Sequence, residues 1–221
     1  MTTFHVGGSA SRYFAPERGT LNLRIGVSSL NKLQAHETGA QAHNRILQKG
    51  RAFKDSGAAT WVESTAPQSY SYQEKWLPDG ENAEPQSRTR HNFNSTVSVK
   101  FQDFDALFLW LSELAEEEFV SYSVSWDLTE VKKKELAKLV RAEAVVNARE
   151  LAEDYARGDN LGGGGSGFLK LMSVTDVEDM PGRAMVGSFA RSAAAKQVPT
   201  VADFAPQDIE VSAHVAAVFE L

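Results

Sequence analysis

The sequence predicts an α+β fold, in which an antiparallel sheet carries helices packed on one face. Several segments alternate between apolar and polar residues, which is typical of strands with one buried and one solvated face. Other segments repeat apolar residues at helical spacing. Together they give the order β-α-β-β-α-β, the split βαβ order of ferredoxin-like folds, followed by a long helix and two further strands.

The first strand and the first helix are marked by a change of period. Every second residue is apolar over residues 21–27, which predicts a half-buried strand. Asn31 can then cap a helix that runs to about Phe53, and Gln34 would complete a capping box. Because the predicted buried stripe consists mainly of small residues, we expect this helix to lie close to the sheet. The stripe consists of Ala35, Gly39, Ala42, Ile46 and Phe53.

The middle of the chain predicts three strands, a loop and a second helix. Residues 60–72 form a weak strand pattern that is interrupted at Pro67, which predicts an edge strand. Polar residues at 73–92 predict a long hairpin loop, and residues 93–101 alternate again as a strand. A helix over 104–117, capped by Asp103, and a strand over 120–126 follow.

The last third predicts a long helix over 130–157 and two strands, at 168–174 and 209–219. The expected buried stripe of this helix is Leu136, Val140, Ala144, Ala148, Leu151 and Tyr155. We predict one domain over 1–221, with a sub-lobe boundary near 128–130 and flexible segments at 73–92, 158–167 and 176–207. The residues expected in the core include Leu23, Val97, Val124 and Leu151.

The composition disfavours or excludes several classes of protein. The absence of cysteine removes disulfides, thiolate catalysis and cysteine-based zinc sites. A formal net charge of −6 disfavours a general nucleic-acid surface, which needs a positive field. No apolar run is long enough to span a membrane. The first residues lack the basic and apolar regions of a signal peptide, so we expect a cytoplasmic protein.

Two patterns that resemble chemical sites are better explained structurally. The glycine-rich run at 162–167 follows a predicted helix and lacks the lysine of a phosphate-binding loop, so we interpret it as a linker. His36 and His43 lie two turns apart on one helix without a third ligand in register, so we interpret them as part of a solvated face. The sequence therefore predicts no catalytic residue, no metal ligand and no cofactor.

One aromatic cluster is a candidate interaction surface. Tyr70, Tyr72 and Trp76 lie where the predicted edge strand enters the polar loop. Aromatic residues at an exposed edge suit strand addition or subunit contact. The alternative is that they cover the sheet of their own chain.

Several segments together resemble the SIMPL (DUF541) family, and the likeness extends over essentially the whole chain. They are VGGSA at 6–10, Pro16 and Glu17 before an alternating strand, AVVNARELA at 144–152 and PQDIEVSAHV at 206–215. The first two resemble the opening strand pair of the family, the third its alanine-arginine helix and the last its closing strand. Gln207 departs from the pattern, because the family commonly has glycine there, and 16–19 differs from its usual proline-aspartate-x-alanine.

The resemblance implies an α+β fold, frequent self-association and no established catalytic activity. It also implies a link to stress responses in bacteria or to kinase-binding signalling in animals. Our leading hypothesis is a non-catalytic protein that forms homo-oligomers or binds another protein. The alternative is an enzyme or small-molecule binder with a pocket between the sheet and the 176–207 connection.

Overall fold

A computed structural model describes residues 2–76, 85–158, 169–177 and 205–221. They form two compact units, and among the described residues the chain changes from one unit to the other after residues 15, 127 and 206. The first unit contains 2–15, 128–158, 169–177 and 207–221, and the second contains 16–76, 85–127 and 205–206. The single-domain assignment stays a prediction.

The predicted α+β class and antiparallel pairing are confirmed. The elements are β1 (Thr3–Phe14), β2 (Arg18–Ser29), α1 (Lys32–Asp55), β3 (Ala59–Ser64), β4 (Gln68–Trp76), β5 (Gln86–Phe101), α2 (Phe104–Leu114), β6 (Val120–Asp127), α3 (Glu130–Gly158), β7 (Lys170–Asp176) and β8 (Ile209–Glu220). The strands are divided between two sheets. Within the described ranges, no helix is both long and apolar enough to cross a membrane.

The first unit is a three-stranded sheet in the order β1-β8-β7, with α3 packed on it. Alternation did not reveal β1, because Gly7 and Gly8 interrupt its pattern and glycine is a poor strand former. The strand is fixed by tertiary pairing, since all twelve of its residues face β8, from Thr3 opposite Glu220 to Phe14 opposite Ile209. β1 and β2 lie in different sheets.

Helix α3 lies very close to β1, and small residues make this approach feasible. A Cβ atom at Gly8 would collide with the carbonyl oxygen of Ala144 and would come within 2.7 Å of the Ala148 Cβ atom. The buried row continues from Ala148 at intervals of four residues to Ala152 and Ala156. The buried residues of this helix are Leu136, Val140, Ala144, Ala148, Ala152 and Ala156.

The predicted buried stripe of α3 is therefore wrong at two positions. Leu151 is 36% exposed and Tyr155 is 56% exposed. Helical spacing allows the buried stripe to continue from Ala148 to residue 151 or to residue 152. The larger apolar side chains at 151 and 155 led us to predict the first path. Close packing on β1 selects the row of alanines instead, because only a small side chain fits between the two backbones.

The second unit is a five-stranded sheet in the order β3-β5-β2-β6, with β4 also paired to β5. Helices α1 and α2 both contact β2 and β5. Leu23 and Val97 are fully buried beneath them, as predicted, whereas Val124 and Phe53 are only partly buried. Val124 is less covered because it lies on β6, an edge strand of this sheet.

The start of α1 differs in one detail from the expected capping box. Asn31 Oδ1 accepts hydrogen bonds from the backbone N–H groups of Leu33 and Gln34, as an N-cap should. The Gln34 side chain accepts from the Ser29 hydroxyl, and that hydroxyl oxygen accepts from the Asn31 N–H group. Ser29 therefore takes the place that Gln34 was expected to fill.

The expected loop at 73–92 is largely strand. β4 continues to Trp76 and β5 begins at Gln86, and these two residues pair with each other. The sequence pattern did not predict this pairing, because these segments do not alternate between apolar and polar residues as a half-buried strand does. Residues 77–84 lie outside the described part, as do 159–168 and 178–204, which contain most of the other two predicted flexible segments. Gly158 belongs to α3 and Asp176 to β7.

The neighbouring glycines of β1 provide a test of the α3 contact. We expect Gly8→Ala to lower the free energy of unfolding by about 2–3 kcal/mol, because the added methyl group overpacks the interface. Gly7→Ala is the matched control, since its Cβ atom would meet only the Val215 carbonyl oxygen, at 3.9 Å. We expect Gly7→Ala to change stability by less than about 1 kcal/mol. Urea titrations of both variants measure the difference, and equal losses would contradict the contact.

Candidate functional site

The candidate aromatic surface lies on β4, and its three residues share one face of the strand. The positions of Tyr70, Tyr72 and Trp76 differ by two and by four, so their side chains leave the same face of the strand. β2 pairs with β5 only as far as His91, whereas β4 continues to pair with β5 as far as Gln86. Residues 72–76 and 86–90 thus form a two-stranded extension of the sheet, which we call the β4–β5 arm.

The aromatic side chains of this surface are accessible to different degrees. Tyr70 is 53% exposed and Tyr72 is 43% exposed, so neither ring is part of the core. Trp76 is partly buried, and the Arg88 guanidinium lies over its ring at 5.0 Å from the ring centre. This geometry is that of a cation–π contact.

Glu74 organises the charges between these rings. Its Oε2 atom accepts hydrogen bonds of 2.7 Å from Nε of both Arg88 and Arg90. The bonds from Arg90 and Arg88 lower the pKa of Glu74, and the bond to Glu74 raises the pKa of Arg90. The three side chains therefore form a charged cluster with fixed positions on the same face as the tyrosines.

A cleft lies beside the base of the arm. Its volume is about 500 Å³, and its walls are mainly apolar. It is lined by residues from the start of α1 and from β4 and β5. These residues are Lys32, Leu33, Ala35, His36, Ser69, Tyr70, Ser71, His91 and Asn92. Of these residues the sequence predicted Tyr70 as part of a candidate surface, and it offered His36 only as a metal ligand that we rejected. The lining comes together only when β4 pairs with β5 and α1 packs on the sheet.

The prediction that His36 and His43 both belong to a solvated face is wrong for His43. His43 is buried, with 7% of its surface exposed, and its Nδ1 atom is 3.0 Å from Ser95 Oγ. Its burial lowers its pKa from the ordinary value of 6.5. Its spacing of four residues from Gly39 could have placed it on the buried stripe. His36 is exposed, and its ring meets that of Phe93 edge-on at 5.8 Å.

Other candidate chemistry finds no support in the described part of the chain. No group of three histidine or acidic side chains there could hold a metal ion. The glycine-rich run at 162–167 lies outside the described residues. So does most of the 176–207 connection, on which the alternative pocket was based.

Comparison with protein families decides the relationship. The family model SIMPL, described as "Protein of unknown function (DUF541)", matches residues 4–219. The chain belongs to the SIMPL family. The resemblance inferred from the sequence segments is thereby confirmed, and the family description assigns no activity.

Comparisons with individual proteins add little for this SIMPL protein. No curated protein matches it. Among solved structures, CutA from Synechococcus elongatus is 18% identical, and the alignment covers 60% of this chain and 96% of that one. The TM-score of 0.24 is too low for this likeness to support an argument about function.

Burial of His43 predicts an acid-sensitive stability. The folded-state pKa lies below the unfolded-state value, so the unfolded chain takes up the proton first as the pH falls. We therefore expect the free energy of unfolding to decrease as the pH falls below about 6.5 towards the lowered pKa of His43. Thermal unfolding should show a weaker pH dependence for His43→Gln than for the unmodified protein. The exposed control His5→Gln should retain the full dependence, and identical profiles for all three proteins would contradict the assignment.

Proposed function

We propose that this SIMPL protein acts by binding rather than by catalysis, and that it self-associates through strand β4. The observation that carries the proposal is the position of Tyr70 and Tyr72, two exposed aromatic residues on an edge strand. In the described part of the structure, β4 pairs with β5 alone. A second chain can therefore add its own strand at the outer edge of β4.

The backbone of β4 supports this proposal. An edge strand presents a row of N–H and C=O groups that can template another strand, and natural proteins usually protect such edges. As far as the structure describes the chain, the β4–β5 arm is in addition two strands wide, and two-stranded ribbons are marginally stable in water. Pairing with a second copy would give β4 a second neighbour and would order the arm.

The side chains of the arm have the composition of interface hot spots. Tyrosine, tryptophan and arginine are the residue types that most often dominate binding energy. Here Glu74 already holds Arg88 and Arg90 in place, and Arg88 covers Trp76. Because these side chains are ordered before binding, less conformational entropy is lost when a partner arrives.

A two-fold axis at Tyr72 gives a favourable register for antiparallel pairing of two β4 strands. In that register Tyr72 faces its own copy, Glu74 faces Tyr70, and Lys75 faces Ser69 of the partner strand. No two like charges are opposed, which favours the pairing. An isologous contact of this kind closes as a dimer instead of continuing as a fibre.

The SIMPL resemblance led us to expect frequent self-association and a stress-related role, and we retain both as parts of the proposal. The alternative hypothesis of a pocket formed with the 176–207 connection has no supporting observation in the described residues.

The aromatic residues provide the first test. We expect the double substitution Tyr72→Ser with Trp76→Ser to lower the solution mass without unfolding the chain. A stable interface must bury about 1,000 Å² or more, and the substitutions remove two aromatic rings from that area. Sedimentation and circular dichroism measure the two properties. Tyr13→Ser with Tyr155→Ser is the control, since these tyrosines are 65% and 56% exposed and belong to the other unit. An unmodified protein that is monomeric at high micromolar concentration would overturn the proposal.

A charge at residue 69 tests the register. Ser69→Lys would place a lysine opposite Lys75 of the partner strand, so we expect it to weaken the dimer by about 0.5–1 kcal/mol at each of the two symmetric positions. Ser69→Glu would instead face Lys75 with an opposite charge and should leave the dimer intact or strengthen it. Dissociation constants from sedimentation at low salt compare the two variants. Equal effects of Lys and Glu would contradict pairing about Tyr72.

A further inference from the structure

We propose that the cleft beside α1 binds a small carboxylate with an apolar body, either aromatic or alkyl. This proposal does not depend on self-association. The volume of about 500 Å³ suits such a ligand, since pockets for small molecules commonly measure about 300–1,000 Å³. The proposal depends on the charge, the hydrogen-bonding groups and the apolar walls that meet in this cleft.

The cation of the cleft and its hydrogen-bonding groups favour an anion. Lys32 supplies a positive charge and, like His36, comes from the first two turns of α1, whereas His91 comes from β5. None of the described lining residues is acidic, although the whole chain has a formal net charge of −6. A cleft lined by groups of one sign concentrates ligands of the opposite sign.

Hydrogen-bonding groups accompany this charge. The Ser71 hydroxyl lies 2.6 Å from Nδ1 of His91. When the hydroxyl donates to Nδ1, the ring hydrogen is on Nε2, which leaves His91 a donor for a ligand oxygen. Ser69 and Asn92 supply further polar groups to the lining. A carboxylate accepts such hydrogen bonds through both of its oxygens.

The remaining walls favour an apolar body on the ligand. Leu33 is 64% exposed, and Ala35 of the same helix also lines the cleft. An apolar ligand body that packs on this exposed leucine removes apolar area from water, which favours binding. Inorganic phosphate would meet Lys32 and the hydrogen-bonding groups but would leave this surface uncovered. A metal ion is disfavoured, because the described part of the lining offers two histidines and no carboxylate.

The test uses benzoate and hexanoate as probes, with benzyl alcohol and inorganic phosphate as comparison ligands. We expect both carboxylates to bind at one saturable site with a Kd below about 10 mM, and both comparison ligands to bind at least about tenfold more weakly. Amide chemical-shift changes in two-dimensional NMR should concentrate at residues 32–36, 69–71 and 91–92.

Variants of the cleft test whether its own side chains hold the ligand. Lys32→Gln with His36→Gln should weaken benzoate binding about tenfold, because the positive charge of Lys32 and a hydrogen-bonding group of His36 are lost. Lys138→Gln with His5→Gln is the matched control on exposed residues of the other unit and should leave binding unchanged. Leu33→Ala should weaken hexanoate binding while preserving the preference for carboxylate over alcohol.

Several results would overturn the proposal. They are failure of both carboxylates to bind, equal binding of benzyl alcohol or phosphate, and equal affinity of the cleft and control variants. Tyr72 and Trp76 do not line the cleft, so Tyr72→Ser with Trp76→Ser should retain benzoate binding whether or not the protein dissociates. The failure of self-association and the failure of the cleft can therefore be distinguished.

Discussion

The backbone ladder along β5 is the interaction on which the second unit depends. This strand of 16 residues pairs with β2 over residues 91–101, with β3 over 97–101 and with β4 over 86–94. The part shared with β2 and β3 carries the core, because α1 and α2 cover it. Within the described residues, the part beyond β2 pairs with β4 alone and becomes the β4–β5 arm. One long strand thus supports both the stable centre of this unit and its candidate binding surface.

Alternation along β5 separates the roles of its two faces. Phe93, Val97 and Val99 are buried beneath the helices, whereas Arg88 and Arg90 leave the opposite face beside the aromatic residues of β4. A change of face with every residue places His91 on the side of α1 and Arg90 on the side of Tyr72. The cleft and the aromatic surface are therefore near each other and have only Tyr70 in common.

The first unit depends on a different feature. Its long helix lies close to the sheet because the residues between them have small side chains. Gly8 on β1 faces Ala144 and Ala148 on α3, and the Arg149 side chain donates a hydrogen bond of 3.3 Å to the Leu169 carbonyl. The Arg149 guanidinium also lies 5.6 Å from the ring centre of Phe219. Close packing thus fixes α3 on its sheet with little bulky apolar surface, and it explains why Leu151 and Tyr155 remain outside.

The sequence by itself determined the α+β class, the family, the helix positions and the strongly alternating strands β2 and β5, because period and capping residues are local properties of the chain. Tertiary structure alone decided the rest. β1 is a strand because β8 pairs with it, and His43 is buried because α1 packs on the sheet, where Ser95 of β5 can hydrogen-bond to it. The cleft depends on residues 32–36, 69–71 and 91–92, which come together only when α1 packs on the sheet. Local patterns indicate which face of an element is apolar, but only packing decides which neighbour covers it.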